Sequence, residues 1–178
     1  IKAASFVDGM QVGKTSTKTF NAHLALGKPV TLITPAHSSY NNKAKLVNGL
    51  NGSTDHTDGH WTGFLGTDME AVIDLQGKMP VSRLCASFVQ HIGYRIFLPT
   101  QVTFAVSDDG KMFKTVKVID NPDPTAIEGM LTRTYETTIP TTKARFVKIT
   151  AQNVGVSPAK YPSAGQKTWL FADELTVE

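Results

Sequence analysis

The feature that most restricts how this chain can fold is the alternation of apolar and polar side chains at every second position. It is clearest at Val102, Phe104 and Val106 and recurs across residues 82–90, whereas helical periodicity is weak almost everywhere. Successive side chains of a strand point to opposite faces of a sheet, so each alternating segment places its apolar residues on one buried face. Many such segments, separated by Pro and Gly clusters, predict an all-β protein built as an antiparallel sandwich or barrel.

The predicted strands are rich in Thr, Val, Phe, Tyr and Ile, the residues that suit a pleated surface. They cover residues 69–75, 82–90, 101–107, 111–119, 131–139, 144–151 and 168–177. The strongest hairpin signal is the turn at 107–110, where Gly110 tolerates positive φ and Asp108 is expected to accept a hydrogen bond from the backbone ahead. Residues 38–66 are polar and Gly-rich, which is typical of a functional or metal-ordered loop.

Composition narrows the class of protein. The chain has 178 residues, 40% of them hydrophobic, which is enough for one domain with a core. Its net charge of +3 comes from scattered basic residues, so a nucleic-acid partner is not expected. No apolar run approaches the roughly 20 residues of a membrane-spanning helix, so we expect no transmembrane segment. Cys85, the single cysteine, is expected to be a small buried hydrophobe.

A Gly-Lys-Thr sequence near the start of the chain suggests a phosphate-binding loop. Such a loop needs an earlier glycine where this chain has Asp8, and a helix after Lys14, where the chain is rich in helix-disfavouring Thr. We therefore interpret residues 1–18 as a lead-in segment or linker and residues 19–178 as the folded domain. Because the chain begins with Ile1 rather than Met, we expect it to be a piece of a longer polypeptide.

The sequence contains no convincing catalytic constellation. His56 and His60 are separated by a Gly-rich loop, so they need not converge on a zinc ion. Asp55 and Asp58 have the residue type of an acid–base pair, but loop carboxylates are more often solvated or used in turns. No G-x-S-x-G motif occurs. The chain is predicted to be non-catalytic.

Five segments in order resemble a discoidin domain, the coagulation factor V/VIII type C fold that is also known as the family 32 carbohydrate-binding modules. They are LVNGLNG (46–52), DGHWTGF (58–64), AVIDLQG (71–77), FLPTQVTFAVSDDGKMF (97–113) and WLFADELTV (169–177). The resemblance implies an antiparallel jelly-roll β-sandwich of the galactose-binding-domain type, with Trp61 in its core. TFNAHLALGKPVTL (19–32) and GQKTWLFADEL (165–175) are more narrowly similar to the accessory domain of chitobiase-type β-N-acetylhexosaminidases, especially those of gut Bacteroidetes.

The resemblance implies a non-catalytic carbohydrate-binding module of a secreted bacterial glycoside hydrolase, a β-N-acetylhexosaminidase by the narrower match. Its expected partners are a glycan containing GlcNAc or galactose and the catalytic domain of the same polypeptide. The expected location is the periplasm, the cell surface or the extracellular space. Two alternatives stay open: a structural domain that supports the catalytic domain without binding sugar, and an adhesion module that binds a protein or cell surface.

The resemblance also implies a structural Ca²⁺ between the early loop and the last strand. Carried over residue by residue, its ligands are Leu46, Asn48, Asn51, Ser53 and Glu174. Asn48 stands where the family usually has Asp, and the loss of that charge weakens the site. A Glu174 that is hydrogen-bonded without a metal is the alternative.

Sugar recognition needs an aromatic face for the ring and fixed polar groups for the hydroxyls. Residues 90–97 gather such groups where a strand ends, and Gly93 is expected to permit a tight turn there. A second candidate segment is 160–169, where Trp169 suits a core position as well as a stacking platform. The predicted glycan-binding residues are Gln90, His91, Tyr94, Arg95, Tyr161 and Trp169.

Overall fold

The computed structural model of the protein describes residues 1–17 and 22–178, so the predicted boundary between residues 18 and 19 lies outside the described residues. The strands in these ranges are β1 (Lys2–Val7), β2 (Met10–Thr17), β3 (Val30–Leu32), β4 (Thr62–Leu65), β5 (Met69–His91), β6 (Gln101–Ser107), β7 (Lys114–Asp120), β8 (Met130–Gln152) and β9 (Trp169–Val177). Short 3-10 helices occupy Ser38–Tyr40, Lys43–Val47 and Ile92–Tyr94. None of the described helices has the length and apolar character needed to span a bilayer.

Two long strands form the frame. β5 and β8 pair antiparallel along their whole length, from Met69 opposite Ala151 to His91 opposite Met130. The prediction of four shorter strands in these regions was wrong, because the pairing passes through register shifts that bend both strands instead of ending them. At the main bend of β5, Gln76 has a φ of 64°.

The bends divide the pairings between two layers. The first part of β5 pairs with β3, and the second part of β8 pairs with β6, which in turn pairs with β7. The second part of β5 pairs with β9, which pairs with β4. Strands that pass from one sheet to the other at bulges are typical of closed sandwiches. The predicted all-β, antiparallel jelly-roll sandwich is confirmed.

The core lies between the layers and follows the alternation in the sequence. Val102, Phe104 and Val106 are all buried in it, as predicted. Trp61 is buried too, in a smaller cluster with Val89, Ile96 and Phe171. Cys85 is buried as predicted, and the burial raises the pKa of its thiol. Fully burying a large apolar side chain contributes about 1.5–3 kcal/mol, so these two clusters supply most of the driving force for folding.

The predicted β6–β7 hairpin is present, but a different aspartate orders its turn. Asp109, not Asp108, accepts hydrogen bonds from the backbone N–H groups of Lys111 and Met112, at 2.8 and 2.9 Å. These bonds lower the pKa of Asp109 to about 2. Asp108 instead pairs with Lys78, and Gly110 has the expected positive φ of 72°.

The N-terminal residues form a separate hairpin. β1 and β2 make a two-stranded sheet, and their side chains are almost all exposed. Asp8 and Gly9 form its turn with φ angles of 50° and 80°, the left-handed pair that suits a tight hairpin. Lys14 therefore lies on a strand, and not at the start of a helix as phosphate binding would require.

Gly63 tests the packing between β4 and β9. A Cβ atom at Gly63 would lie 2.5 Å from Cε1 of buried Phe171, whereas one at Gly77 would meet nothing within 4 Å. We expect Gly63→Ala to lower the free energy of unfolding by about 1–3 kcal/mol through overpacking. The control Gly77→Ala should change it by less than about 1 kcal/mol. Urea denaturation measures both, and equal effects would contradict this packing.

Candidate functional site

The strand end that carries the predicted sugar-binding segment closes into a tight turn. His91 and Ile96 exchange backbone hydrogen bonds of 3.0 and 3.2 Å, which closes the 3-10 turn at Ile92–Tyr94. Gly93 lies within this turn, and the residue with a left-handed φ, of 61°, is Arg95. The turn holds Tyr94 on the outside of the protein, where the residue is 59% exposed.

The start of β9 is bonded directly to this turn. The backbone N–H of Trp169 donates to the carbonyl of Arg95 at 2.8 Å, and the N–H of Phe97 donates to the carbonyl of Trp169 at 3.1 Å. These bonds bring Trp169 next to Tyr94 and Arg95, although they lie more than 70 residues apart in the sequence. Neighbouring strand ends therefore place an aromatic and a cationic side chain together.

We call the depression between these elements the aromatic hollow. It has a volume of about 190 Å³ and is lined by Tyr40, His56, Gly93, Tyr94, Arg95, Ile96, Trp169 and Phe171. The Trp169 ring stacks on Phe171 at 5.2 Å between centroids, and Tyr40 packs edge-on against both rings. Offset-stacked and edge-to-face pairs of this kind fix aromatic rings in place. The hollow is thus a preformed aromatic surface.

Arg95 supplies a fixed polar group at the same place. A guanidinium N–H donates to the side-chain oxygen of Gln166, which restrains the side chain at the rim of the hollow. The planar guanidinium has five N–H donors, so several are left to meet oxygen atoms of a ligand. An aromatic face beside a restrained donor is the combination that sugar recognition requires.

Tyr94 separates the aromatic hollow from a second hollow of about 370 Å³, which is lined by Thr54, Asp55, His56, Thr57, His91, Tyr94 and Met130. The Tyr94 ring lies 5.1 Å from the His56 ring and 4.5 Å from the His91 ring. Burial lowers the pKa of His56, and the neighbouring His91 lowers it further. His56 is therefore held neutral near physiological pH.

A third hollow continues beyond His91. Its volume is about 650 Å³, and it is lined by His91, Ile92, Gly93, Glu128, Gly129, Met130, Lys160 and Tyr161. The Tyr161 ring packs against Phe97 at 5.6 Å between centroids. By contrast, the hollow of about 350 Å³ beside the β6–β7 turn is lined by no aromatic side chain, so it offers no stacking surface.

The structure brings together most of the predicted glycan-binding residues. His91, Tyr94, Arg95 and Trp169 line the first two hollows, and Tyr161 lines the third. Gln90 is different. It is fully buried, and its side-chain amide donates to the carbonyl of Ile127 at 2.6 Å, so it holds the loop before β8 and does not face a hollow.

Sequence reasoning missed Tyr40, His56 and Phe171 as lining residues. Tyr40 and His56 lie in the polar stretch 38–66, which predicted a functional loop but not which of its side chains turn inward. Phe171 lies on β9, where the alternation marks it as a strand residue only. The aromatic content of these two segments was the signal available, and only the fold shows that they meet.

The candidate catalytic groups have structural roles. Asp55 accepts hydrogen bonds from the N–H and the hydroxyl of Thr57, and these bonds lower the pKa of Asp55. Asp58 accepts from Ser53 and from the N–H of His60, so both carboxylates order the loop, as loop carboxylates commonly do. Within residues 1–17 and 22–178, no three His, Cys, Asp or Glu side chains converge as a metal cluster.

The residues present do not fit the calcium site that the resemblance implies. Glu174 is the one carboxylate among the five predicted ligands, and both of its oxygens are engaged. Oε1 lies 2.8 Å from Nε2 of His23, and Oε2 accepts the backbone N–H of Gly49 at 3.0 Å. Calcium requires six to eight oxygen ligands, and this carboxylate already has protein partners.

Two further side chains of the predicted ligand set, those of Asn48 and Ser53, are also engaged. The Asn48 side-chain oxygen accepts the N–H of Leu50, the Ser53 hydroxyl donates to Asp58, and Leu46 is fully buried in the core. Asn51 is exposed on the same loop. Neighbouring Asp173 accepts the N–H of Gly52 at 2.6 Å, and burial raises the pKa of its carboxyl.

Comparison with known proteins gives one family. A family model described as "F5/8 type C domain" matches residues 29–170. No curated protein sequence matches the chain significantly.

Solved structures share the fold at low sequence identity. The chitosan-binding module 1 of a chitosanase/glucanase from Paenibacillus sp. IK-5 is 14% identical, with a TM-score of 0.55 over 89% of this chain and 99% of that one. The lectin domain of lectinolysin, solved with Lewis B antigen, is 14% identical, with a TM-score of 0.58 over 90% and 98%. CpGH89CBM32-4 from Clostridium perfringens, solved with GlcNAc-α-1,4-galactose, is 16% identical, with a TM-score of 0.53 over 91% and 96%. At this identity the likeness establishes the fold alone.

The lowered pKa of His56 gives a test of the hollow's geometry. Folding lowers the pKa of His56, so below pH 6.5, the ordinary pKa of histidine, the unfolded chain binds a proton here more readily than the folded protein does. The contribution of His56 to the free energy of unfolding is therefore lost as the pH falls below 6.5. An NMR titration should give a pKa below 6.5 for His56, and a higher value in His91→Ala. An unchanged pKa in the variant would contradict the coupling of the two rings.

Proposed function

This chain belongs to the F5/8 type C domain family, and we propose that it is a non-catalytic carbohydrate-binding module whose site is the aromatic hollow. The observation that carries the proposal is that the exposed Tyr94 and the half-buried Trp169 line one hollow together with Arg95, whose guanidinium is restrained by Gln166. A sugar presents a C–H face to such rings and its hydroxyls to such a donor. Two of the three similar structures hold a bound carbohydrate and the third is a chitosan-binding module, which supports this class of ligand.

The shape of the hollow sets the expected strength of binding. One or two stacking rings and a few hydrogen bonds on an open surface give millimolar to micromolar affinity, or about −4 to −8 kcal/mol. Binding of this strength retains a protein on its substrate when the module is tethered to another domain, because tethering raises the effective concentration.

We infer that this other domain is the catalytic domain of a secreted bacterial glycoside hydrolase, and specifically a β-N-acetylhexosaminidase of the chitobiase type. The segments 19–32 and 165–175 support this parent. The polypeptide would then act in the periplasm, at the cell surface or outside the cell, on glycans that contain GlcNAc or galactose.

A purely structural domain would be expected to cover its aromatic and cationic groups with contacts of its own or to turn them toward the catalytic domain. Tyr94 instead stays 59% exposed on the described surface. An adhesion module would need apolar loop tips. Val156 lies on a largely polar loop, but Ile33, Met112 and Ile127 are also exposed apolar side chains outside the strands. The exposure of Tyr94 favours sugar binding over a domain that covers this ring itself. A structural domain that turns the ring toward the catalytic domain, and an adhesion module, remain the alternatives.

Tyr94 tests the proposal, with Phe6 as the matched control. The two aromatic residues are similarly exposed, at 59% and 62%, but Phe6 lies on the separate β1–β2 hairpin. We expect Tyr94→Ala to weaken glycan binding at least tenfold, about 1.4 kcal/mol, and Phe6→Ala to leave it unchanged. Calorimetry with a glycan identified on an array measures both. If no glycan binds the wild-type protein, the proposed function is wrong.

A further inference from the structure

We propose that the site takes an uncharged oligosaccharide that passes over Tyr94, and not a single terminal sugar. This inference rests on the proposed function and extends it to the class of ligand. It is carried by the way in which the three hollows join, by their sizes and by the balance of charge along them.

The hollows form one continuous groove. The aromatic hollow and the second hollow share His56 and Tyr94, and the second and third share His91 and Met130. Tyr94 and Met130 are 59% and 58% exposed, so each presents an apolar surface to solvent at the boundary between two hollows. A site for one terminal sugar would need only the first hollow.

The sizes of the hollows agree with more than one sugar unit. The aromatic hollow, at about 190 Å³, lies below the roughly 300 Å³ at which pockets for drug-sized ligands begin, so it suits one ring. The other two, at about 370 and 650 Å³, lie within the pocket range. A chain with its end in the aromatic hollow would therefore have room for further units along the groove.

The third hollow, which we call the far end of the groove, combines an aromatic ring with a cation, as the aromatic hollow does. Tyr161 is held there against Phe97, and Lys160 lies over its ring with Nζ 5.3 Å from the ring centroid. The Tyr161 hydroxyl is buried and has no hydrogen-bond partner among the described residues. An aromatic ring with an adjacent cation thus stands at each end, Trp169 with Arg95 and Tyr161 with Lys160.

The charges along the groove favour an uncharged chain. Arg95 and Lys160 are its basic groups, and Asp55 and Glu128 are its acidic groups. A polyanion such as an oligouronate would pass two carboxylates, and a polycation such as a glucosamine oligomer would pass two cations. In each case the repulsion is offset by the two groups of opposite sign, so the groove offers no net attraction to a charged chain, and recognition is left to stacking and hydrogen bonds, which an uncharged glycan can make.

The experiment begins with an array of uncharged, acidic and basic oligosaccharides. The best-bound glycan is then titrated against the protein beside each of its constituent monosaccharides. We expect that glycan to be uncharged and to bind at least tenfold more tightly than any of its monosaccharides. A best ligand that is charged, or a monosaccharide that binds equally well, would overturn the inference while leaving the proposed function intact. No binding on the array would overturn both.

Two variants test whether the oligosaccharide also contacts the third hollow. Tyr161→Ala should reduce the affinity for the oligosaccharide at least threefold and leave the affinity for the monosaccharide unchanged. Lys160→Ala should also reduce the affinity for the oligosaccharide. Because Lys160 is exposed, this variant can replace Tyr161→Ala if the latter folds poorly. Phe6→Ala is the control. Equal losses for both ligands, or no loss with either variant, would exclude the far end of the groove as a sugar contact.

A separate observation carries a second inference. The His23 and Glu174 side chains, which contact each other, are 0% and 2% exposed. The backbone N–H of Leu24 donates to the carbonyl of Val177, and that of Gly27 donates to the carbonyl of Val47. His23 thus belongs to a segment that is tied both to the end of β9 and to the chain just before the loop at 48–53. We propose that its imidazole holds this carboxylate in the place of a bound cation, so that the domain folds without calcium.

Thermal unfolding tests the second inference. The Tm of the wild-type protein should be the same in EDTA and in millimolar CaCl₂. His23→Ala leaves a buried carboxylate without its partner, so its Tm should fall by about 6 °C or more, whereas the control His60→Ala should change it little. A wild-type Tm that rises with CaCl₂ and falls with EDTA would overturn the inference, and that result is readable even if His23→Ala does not fold.

Discussion

The antiparallel pairing of β5 with β8 is the constraint on which the rest of the structure depends. It begins with Met69 opposite Ala151 and ends with His91 opposite Met130. Because it continues through the bends, one pair of strands frames both layers of the sandwich and fixes which loops meet at its end. His91 and Met130 are neighbours there, so the turn after β5 and the loop before β8 form two sides of one groove.

The strand β9 completes this arrangement at its start and at its middle. Its first residue, Trp169, is bonded to the turn that carries Tyr94 and Arg95. Further along, Asp173 and Glu174 bind the backbone N–H groups of Gly52 and Gly49. Buried carboxylates need such partners, because an unpaired buried charge is strongly destabilising. The same strand therefore supplies a wall of the groove and anchors the loop region that contributes Tyr40 and His56 to it.

The sequence predicts the fold well because side-chain alternation is a local signal. The alternation at Val102, Phe104 and Val106 predicts a buried face without information from the rest of the chain. The β6–β7 hairpin is likewise predicted from its own turn residues. The bends were not predictable, since Gly77 and Pro80 look like strand ends when their partner strand is unknown. The same holds for the site. Tyr94 and Arg95 lie in a conspicuous local cluster, whereas the contact of His23 with Glu174 joins residues 151 positions apart.

The proposed function depends most on binding of the ligand at the rim of the sandwich, in the aromatic hollow. A crystal structure with the best-bound glycan tests this claim most directly. The account predicts electron density for a sugar ring against Tyr94 and Trp169, with a hydroxyl within hydrogen-bonding distance of the Arg95 guanidinium. Density in the hollow beside Ser107 and Lys143, with the aromatic hollow empty, would contradict it.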